Sequence, residues 1–301
     1  ALPSMLLRLA SQAAVLLLGS AACADAQLLR ASDVDKLPSR AADERAAYGP
    51  DSLQFGELRL PVGAGPFPVA IVIHGGCWLA RYATLQNTRA LADALRDAGV
   101  ATWNIEYRRA DNPGGGWPGT FQDVAAAADY LRVLSKRQPL DLSRVIAIGH
   151  SAGGHLALWL AARRRLSPSS VLHVSNPVPL RGVVSLAGPG DLAEFLARDG
   201  QGCGGAVRQL MGGGPDEVPT RYAEGSPVLL LPIGVPHVLI AGALDRIVPP
   251  ATAEAWVASA MRSGDLARRV TIDGAGHFEV IAPGSIAFPA VRTAVEELLK
   301  R

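Results

Sequence analysis

The chain has 301 residues, 49% of them apolar, which is enough to bury the core of one large domain. Lys and Arg number 29 against 27 Asp and Glu, and this formal charge of +2 excludes a protein built to track nucleic-acid phosphates. Local groups such as Arg163, Arg164 and Arg165 read as a solvated helix end rather than a binding patch.

After a short leading stretch at 1–4, residues 5–26 have the organisation of a secretory signal. Arg8 supplies a positive start, Ala13 to Leu18 an apolar run, and Ala24-Asp25-Ala26 a small-x-small cleavage site. The apolar run is too short to span a bilayer. The expectation is a secreted or periplasmic protein cleaved after Ala26, without stable membrane insertion. A lipidated Cys23 is the weaker reading, because Ser20 stands where a large aliphatic residue belongs. Residues 27–52 are polar and Ala-rich without a clear period, and read as an extended N-terminal arm.

From about residue 53 to 301, short β-branched runs alternate with longer helical patterns. That is the signature of a doubly wound, mostly parallel α/β sheet with helices on both faces. The strands are expected at Gln54–Leu60, Val69–Ile73, Val100–Ile105, Val145–Gly149, Gly182–Leu186, Val238–Ala241 and Arg269–Ile272. Helices are expected at Thr84–Ala98, Phe121–Arg137, Ala152–Arg164, Ala251–Ser263 and Ile286–Lys300. Residues 188–236 are rich in Gly and Pro, with short helical patterns only at Ala193–Arg198 and Ala206–Met211. They read as a small cap inserted over the carboxyl edge of the sheet.

Gly149-His150-Ser151-Ala152-Gly153 follows the buried run Val145–Ile148 and opens a helix, which is the context a G-x-S-x-G elbow requires. Small residues two places either side of Ser151 allow the sharp turn that lifts its hydroxyl above the sheet. A serine hydroxyl needs a base to take its proton and a carboxylate to orient that base. Asp245 follows one late strand and His277, in Gly274-Ala275-Gly276-His277-Phe278, follows the last. Both stand in the chain order that an elbow serine predicts. His74-Gly75-Gly76-Cys77-Trp78 after Val69–Ile73 supplies an oxyanion hole, with the N–H groups of Gly76, Cys77 and Ala152 as donors.

With these motifs the chain resembles an α/β-hydrolase of the esterase/lipase type with an H-G-G-x-W oxyanion loop. It is most similar to the branch of BD-FAE-like carbohydrate esterases and arylformamidases, over residues 53–301. Hormone-sensitive-lipase-like esterases carry a third glycine where this chain has Cys77. The resemblance implies an α/β-hydrolase fold and a serine hydrolase that cleaves carboxylic esters, on small or carbohydrate-linked acyl groups. Its catalytic residues would be Ser151, Asp245 and His277. An amidohydrolase such as an arylformamidase or small peptidase is the alternative, and a non-catalytic binding protein on the same scaffold a third.

Trp78 and Trp117 are candidate walls of the substrate pocket, and His150 is placed to tune access to it. Asp123 reads as a loop anchor or helix cap rather than a rival acid. Glu279 reads as an exposed loop acid, and His155 as locally packed. The six histidines show no HExxH spacing, and neither a metal nor a cofactor is expected. Cys77 and Cys203 remain after the leader. A disulfide and two free thiols are both open, as is the oligomeric state.

Overall fold

The β-branched runs do form strands, and they assemble into one eight-stranded sheet in the order β1-β2-β4-β3-β5-β6-β7-β8. The computed structural model describes residues 27–198, 203 and 205–300, so the leader expected over 5–26 lies outside the described residues. The strands are β1 (Glu44–Ala47), β2 (Phe55–Arg59), β3 (Phe67–Ile73), β4 (Ala101–Ile105), β5 (Leu140–His150), β6 (Gly182–Leu186), β7 (His237–Gly242) and β8 (Ala267–Ile272). β1 and β2 join antiparallel, and every pairing from β4 through β8 is parallel.

The helices are α1 (Ala31–Val34), α2 (Arg89–Asp97), α3 (Gly119–Asp129), α4 (Leu131–Leu134), α5 (Ala152–Ala162), α6 (Leu192–Ala197), α7 (Ala206–Met211), α8 (Pro219–Gly225), α9 (Pro250–Arg262) and α10 (Phe288–Lys300). Side chains alternate across the pleat, so each strand feeds two cores. Val69, Ile71 and Ile73 of β3 pack with Phe121 of α3, Trp159 of α5 and Trp256 of α9. Ala70 and Val72 pack on the other face with Leu91 of α2 and Leu298 of α10. Burial on both faces explains why these strands read as continuous apolar runs. Among the described residues, no helix is long and apolar enough to cross a membrane.

The structure departs from the sequence reading where pairing or packing overrides local pattern. The arm is not simply extended: it carries α1 and the edge strand β1, which pairs Glu44 with Leu58 and Ala47 with Phe55. Glu44-Arg45-Ala46-Ala47 has no apolar alternation, and its strand form follows from the ladder with β2. β5 begins at Leu140 rather than Val145, because Phe67 of β3 pairs with Leu140 across a register shift. The helix expected over 121–137 ends at Asp129 and resumes as the single turn α4. Asp129 turns its carboxylate to Arg163 at 2.7 Å and accepts the Val178 amide at 2.7 Å. The insertion holds α8 besides the two helices expected there. Pro219 at its first turn is a start signal that the sequence reading passed over.

The order β4-β3-β5 positions the site. The chain leaves β3 for β4 on one side and returns to β5 on the other, which is a topological switch point, where the loops after two adjacent strands diverge and leave a crevice at their carboxyl ends. Ile73 pairs with Gly149, so the His74 turn and the Ser151 turn leave the sheet side by side.

Candidate active site

Ser151 sits between β5 and α5 with φ 53° and ψ −120°. That is a sparsely populated region for a residue with a Cβ, and such strain persists only where the surroundings enforce it. The surroundings do enforce it. The Ser151 amide donates to the Leu186 carbonyl of β6 at 2.8 Å, and its own carbonyl accepts the amides of Gly154 and His155 in the first turn of α5. A Cβ on Gly149 would overlap the Gly153 carbonyl, and one on Gly153 would overlap the carbonyls of Ile73 and His74. The elbow is therefore closed by backbone packing that only glycine permits.

The turn after β3 lies against it. A Cβ on Gly75 would come 2.8 Å from the His150 carbonyl. Gly76, Cys77 and Trp78 all have positive φ, at 96°, 52° and 55°, which curls the backbone around the space above Ser151. Among the described residues, nothing accepts a hydrogen bond from the N–H of Gly76, Cys77 or Ala152. The Ala152 amide is the first of α5, at the positive end of the helix dipole. Left-handed turns that free several amides beside a cavity form an anion-binding nest.

A buried network holds this turn from below. His74 Nε2 lies 2.8 Å from Glu106 Oε1 and its Nδ1 2.9 Å from the Gly75 carbonyl. Its ring stacks on Tyr107 at 4.4 Å, and the Tyr107 hydroxyl donates to the His74 carbonyl at 2.9 Å. Arg109 donates to Glu106 at 2.6 Å. Burial pushes the Glu106 carboxyl up, but His74 and Arg109 outweigh it and hold the group below its ordinary range. Sequence reasoning missed this network. The run Glu106-Tyr107-Arg108-Arg109 at the end of a buried strand was its available signal.

Asp245 and His277 stand at the ends of neighbouring strands β7 and β8. His277 Nδ1 lies 2.6 Å from Asp245 Oδ2, and both side chains are buried. The other carboxylate oxygen accepts the amides of Ile247 and Val248 at 2.8 and 2.9 Å, which locks its orientation. Ser151, His277, Gly76 and Cys77 line one cavity of about 220 Å3, whose further walls include Phe278 and Ile247. Cys77 and Cys203 form a disulfide on its rim, with Cα atoms 5.2 Å apart, so the insertion is bonded to the turn after β3.

His150 also lines the cavity, as expected. Its Nε2–H donates to the His277 carbonyl at 2.9 Å, and the two rings lie 4.6 Å apart. The tryptophans are a correction, since neither lines the cavity. Trp78 is fully buried, donates to His155 Nδ1 at 3.3 Å and meets Phe195 of α6 edge-on. Trp117 packs edge-on against Phe121, and its amide donates to Leu210 of α7. Both rings support the insertion from beneath. Glu279 is a second correction: it is buried, and its two oxygens accept the amides of Leu29 and Gly276. Asp123 anchors Arg108 and Gln54 away from the cavity.

Burial pulls the His150 pKa well below its usual 6.5, helped by the neighbouring His277, and burial pulls His155 to about 4. Both rings are therefore neutral in the folded protein, while in the unfolded chain they take up a proton near pH 6.5. Below that pH the unfolded state binds more protons, so stability is present above pH 6.5 and falls as pH drops toward the folded values. With a folded pKa of about 4, His155 is expected to cost about 2 kcal/mol between pH 6.5 and 5, at 1.36 kcal/mol per unit, and His150 adds a loss in the same direction. Denaturant midpoints at pH 7 and pH 5 measure this, and equal midpoints would contradict neutral burial.

Solved structures share this arrangement of strands. A truncated carbohydrate esterase from gut microbiota is 22% identical, with a TM-score of 0.74 over 87% of this chain and 98% of its own. Esterase B from Lactobacillus rhamnosis is 19% identical, with a TM-score of 0.72 over 87% and 89% of the two chains. A bacterial heroin esterase is 21% identical, with a TM-score of 0.70 over 90% and 88%. A search of curated protein sequences gives no match. The BD-FAE family profile matches residues 58–259, from within β2 to within α9, and so spans both the turn after β3 and the elbow. The sheet is that of an α/β-hydrolase, and the chain belongs to the BD-FAE family.

Proposed function

We propose that this protein is an exported serine esterase that cleaves small or carbohydrate-linked acyl esters through an acyl-enzyme on Ser151. One observation carries the reading: a strained Ser151 shares its cavity with a histidine whose far nitrogen is bonded to a buried, locked aspartate. Asp245 accepts the Nδ1 proton of His277, so Nε2 is the lone-pair nitrogen. His277 takes the Ser151 proton as Oγ attacks the ester carbonyl. The tetrahedral oxyanion is held by the amides of Gly76, Cys77 and Ala152, each such donor contributing roughly 3 kcal/mol. His277 then protonates the departing alcohol, and water repeats the sequence to release the acid.

The family match and the names of the structural relatives support an ester over an amide. Export rests on the reading of residues 5–26 and is supported by the Cys77–Cys203 disulfide, which suits an oxidising compartment.

A substrate panel tests this function. p-Nitrophenyl acetate and butyrate and acetylated or feruloylated sugars are expected to be hydrolysed, and N-formylkynurenine to be turned over at least 100-fold more slowly. Turnover of the formamide alone would replace the esterase with an amidohydrolase.

A further inference from the structure

The arm before β1 reaches the cavity. Ala31, in α1, lines it beside Asn87, more than a hundred residues from the elbow in sequence. The arm is held at both ends. On one side the Leu29 amide donates to Glu279 Oε1 at 2.6 Å, while Glu279 Oε2 accepts the amide of Gly276, the residue before His277, at 2.8 Å. On the other side Asn87 Nδ2 donates to Asp35 Oδ1 at 3.0 Å and Gln86 Nε2 to the Asp35 carbonyl at 3.0 Å. Between the two clamps Val34 is buried against the α2 face of the sheet. A segment fixed at the base loop and at the turn before α2 spans the cavity between them.

A buried carboxylate that accepts two backbone amides from different segments is costly unless both bonds are made. Glu279 makes both, and so ties arm position to the loop that carries His277. We propose that residues 28–35 form a wall of the substrate pocket, that Ala31 limits the length of the apolar group the cavity accepts, and that Glu279 positions this wall. This rests on the serine-hydrolase reading of Ser151. A pocket wall discriminates by filling or freeing the space of a methylene, worth tenfold or more in rate. Two arm substitutions must therefore act in opposite directions. Ala31→Phe adds a ring at the wall. Leu29→Pro deletes the amide that Glu279 holds, and leaves the bond from Glu279 to Gly276 untouched.

The probes are p-nitrophenyl methyl-, butyl- and octylphosphonates, with the labelling rate of Ser151 read by mass spectrometry. Amide exchange over 28–35 is followed in parallel. Ala31→Phe is expected to lower the butyl-to-methyl and octyl-to-methyl rate ratios at least tenfold. Leu29→Pro is expected to raise the octyl-to-methyl ratio at least fivefold and to speed exchange over 28–35. Unchanged ratios in both variants, in a wild type that is labelled, overturn the role of the arm and leave the serine-hydrolase reading standing. A wild type labelled by none of the three overturns that reading and this proposal with it.

Discussion

Ser151→Ala is expected to lower kcat on p-nitrophenyl acetate by on the order of 10^6-fold, the usual loss when the nucleophile of a serine, histidine and aspartate set is removed. The residue that remains keeps its fold. Alanine has the same Cβ as serine, so it inherits φ 53° without new strain, and the amide that donates to Leu186 is untouched. A small rate above water is expected to survive, because the proposed oxyanion donors, the amides of Gly76, Cys77 and Ala152, are unaltered. The companion variant Ser151→Gly separates strain from chemistry. Glycine adopts positive φ freely, so it is expected to be equally inactive but more stable, by about 1 kcal/mol in denaturant unfolding. An inactive but unchanged midpoint in Ser151→Gly would argue that the elbow holds no strain. An active Ser151→Ala would remove the serine from the mechanism.

Asp245→Asn is expected to cost about 10^4-fold in kcat with little change in KM, because it reverses the histidine rather than moving it. Asp245 Oδ1 accepts two amides, from Ile247 and Val248, so the asparagine oxygen must take that place. Its NH2 group then faces His277 Nδ1, across the 2.6 Å contact that the carboxylate now occupies. Nδ1 becomes the acceptor, the ring proton moves to Nε2, and Nε2, the proposed base, can no longer take a proton. Activity in this variant is expected to rise with pH, as hydroxide competes for that proton. Asp245→Ala, which leaves the two amides without an acceptor, is expected to lose stability as well. An Asp245→Asn enzyme within tenfold of wild type would show that another group orients His277.

The turns that carry the candidate site were legible in the sequence because each of them is local. Turn residues, glycines and a buried apolar run are all within reach of one another in Gly149–Gly153 and in His74–Trp78, and the steric demands that select them act over a few bonds. The strand and helix alternation was legible for the same reason. Burial on both faces leaves β3 from Val69 to Ile73 and β5 from Val145 to Ile148 as unbroken apolar runs. Element ends were less so. β5 gains five residues only because Phe67 finds Leu140, and β1 exists only because β2 offers it an edge.

Tertiary structure alone decided which other side chains reach the cavity. Trp78 ends the turn after β3, yet a run of left-handed residues and the packing of α6 put its ring in the core. Glu279, two residues past His277, became a buried clamp because an arm from the far end of the chain brought it an amide. Whether Cys77 and Cys203 pair was equally undecided by a separation of 126 residues, and it follows from the insertion folding back over the turn after β3. Ala31 carries no motif at all. Its place on the cavity wall depends on contacts made hundreds of bonds away, and such contacts leave no periodicity and no spacing for a sequence to display.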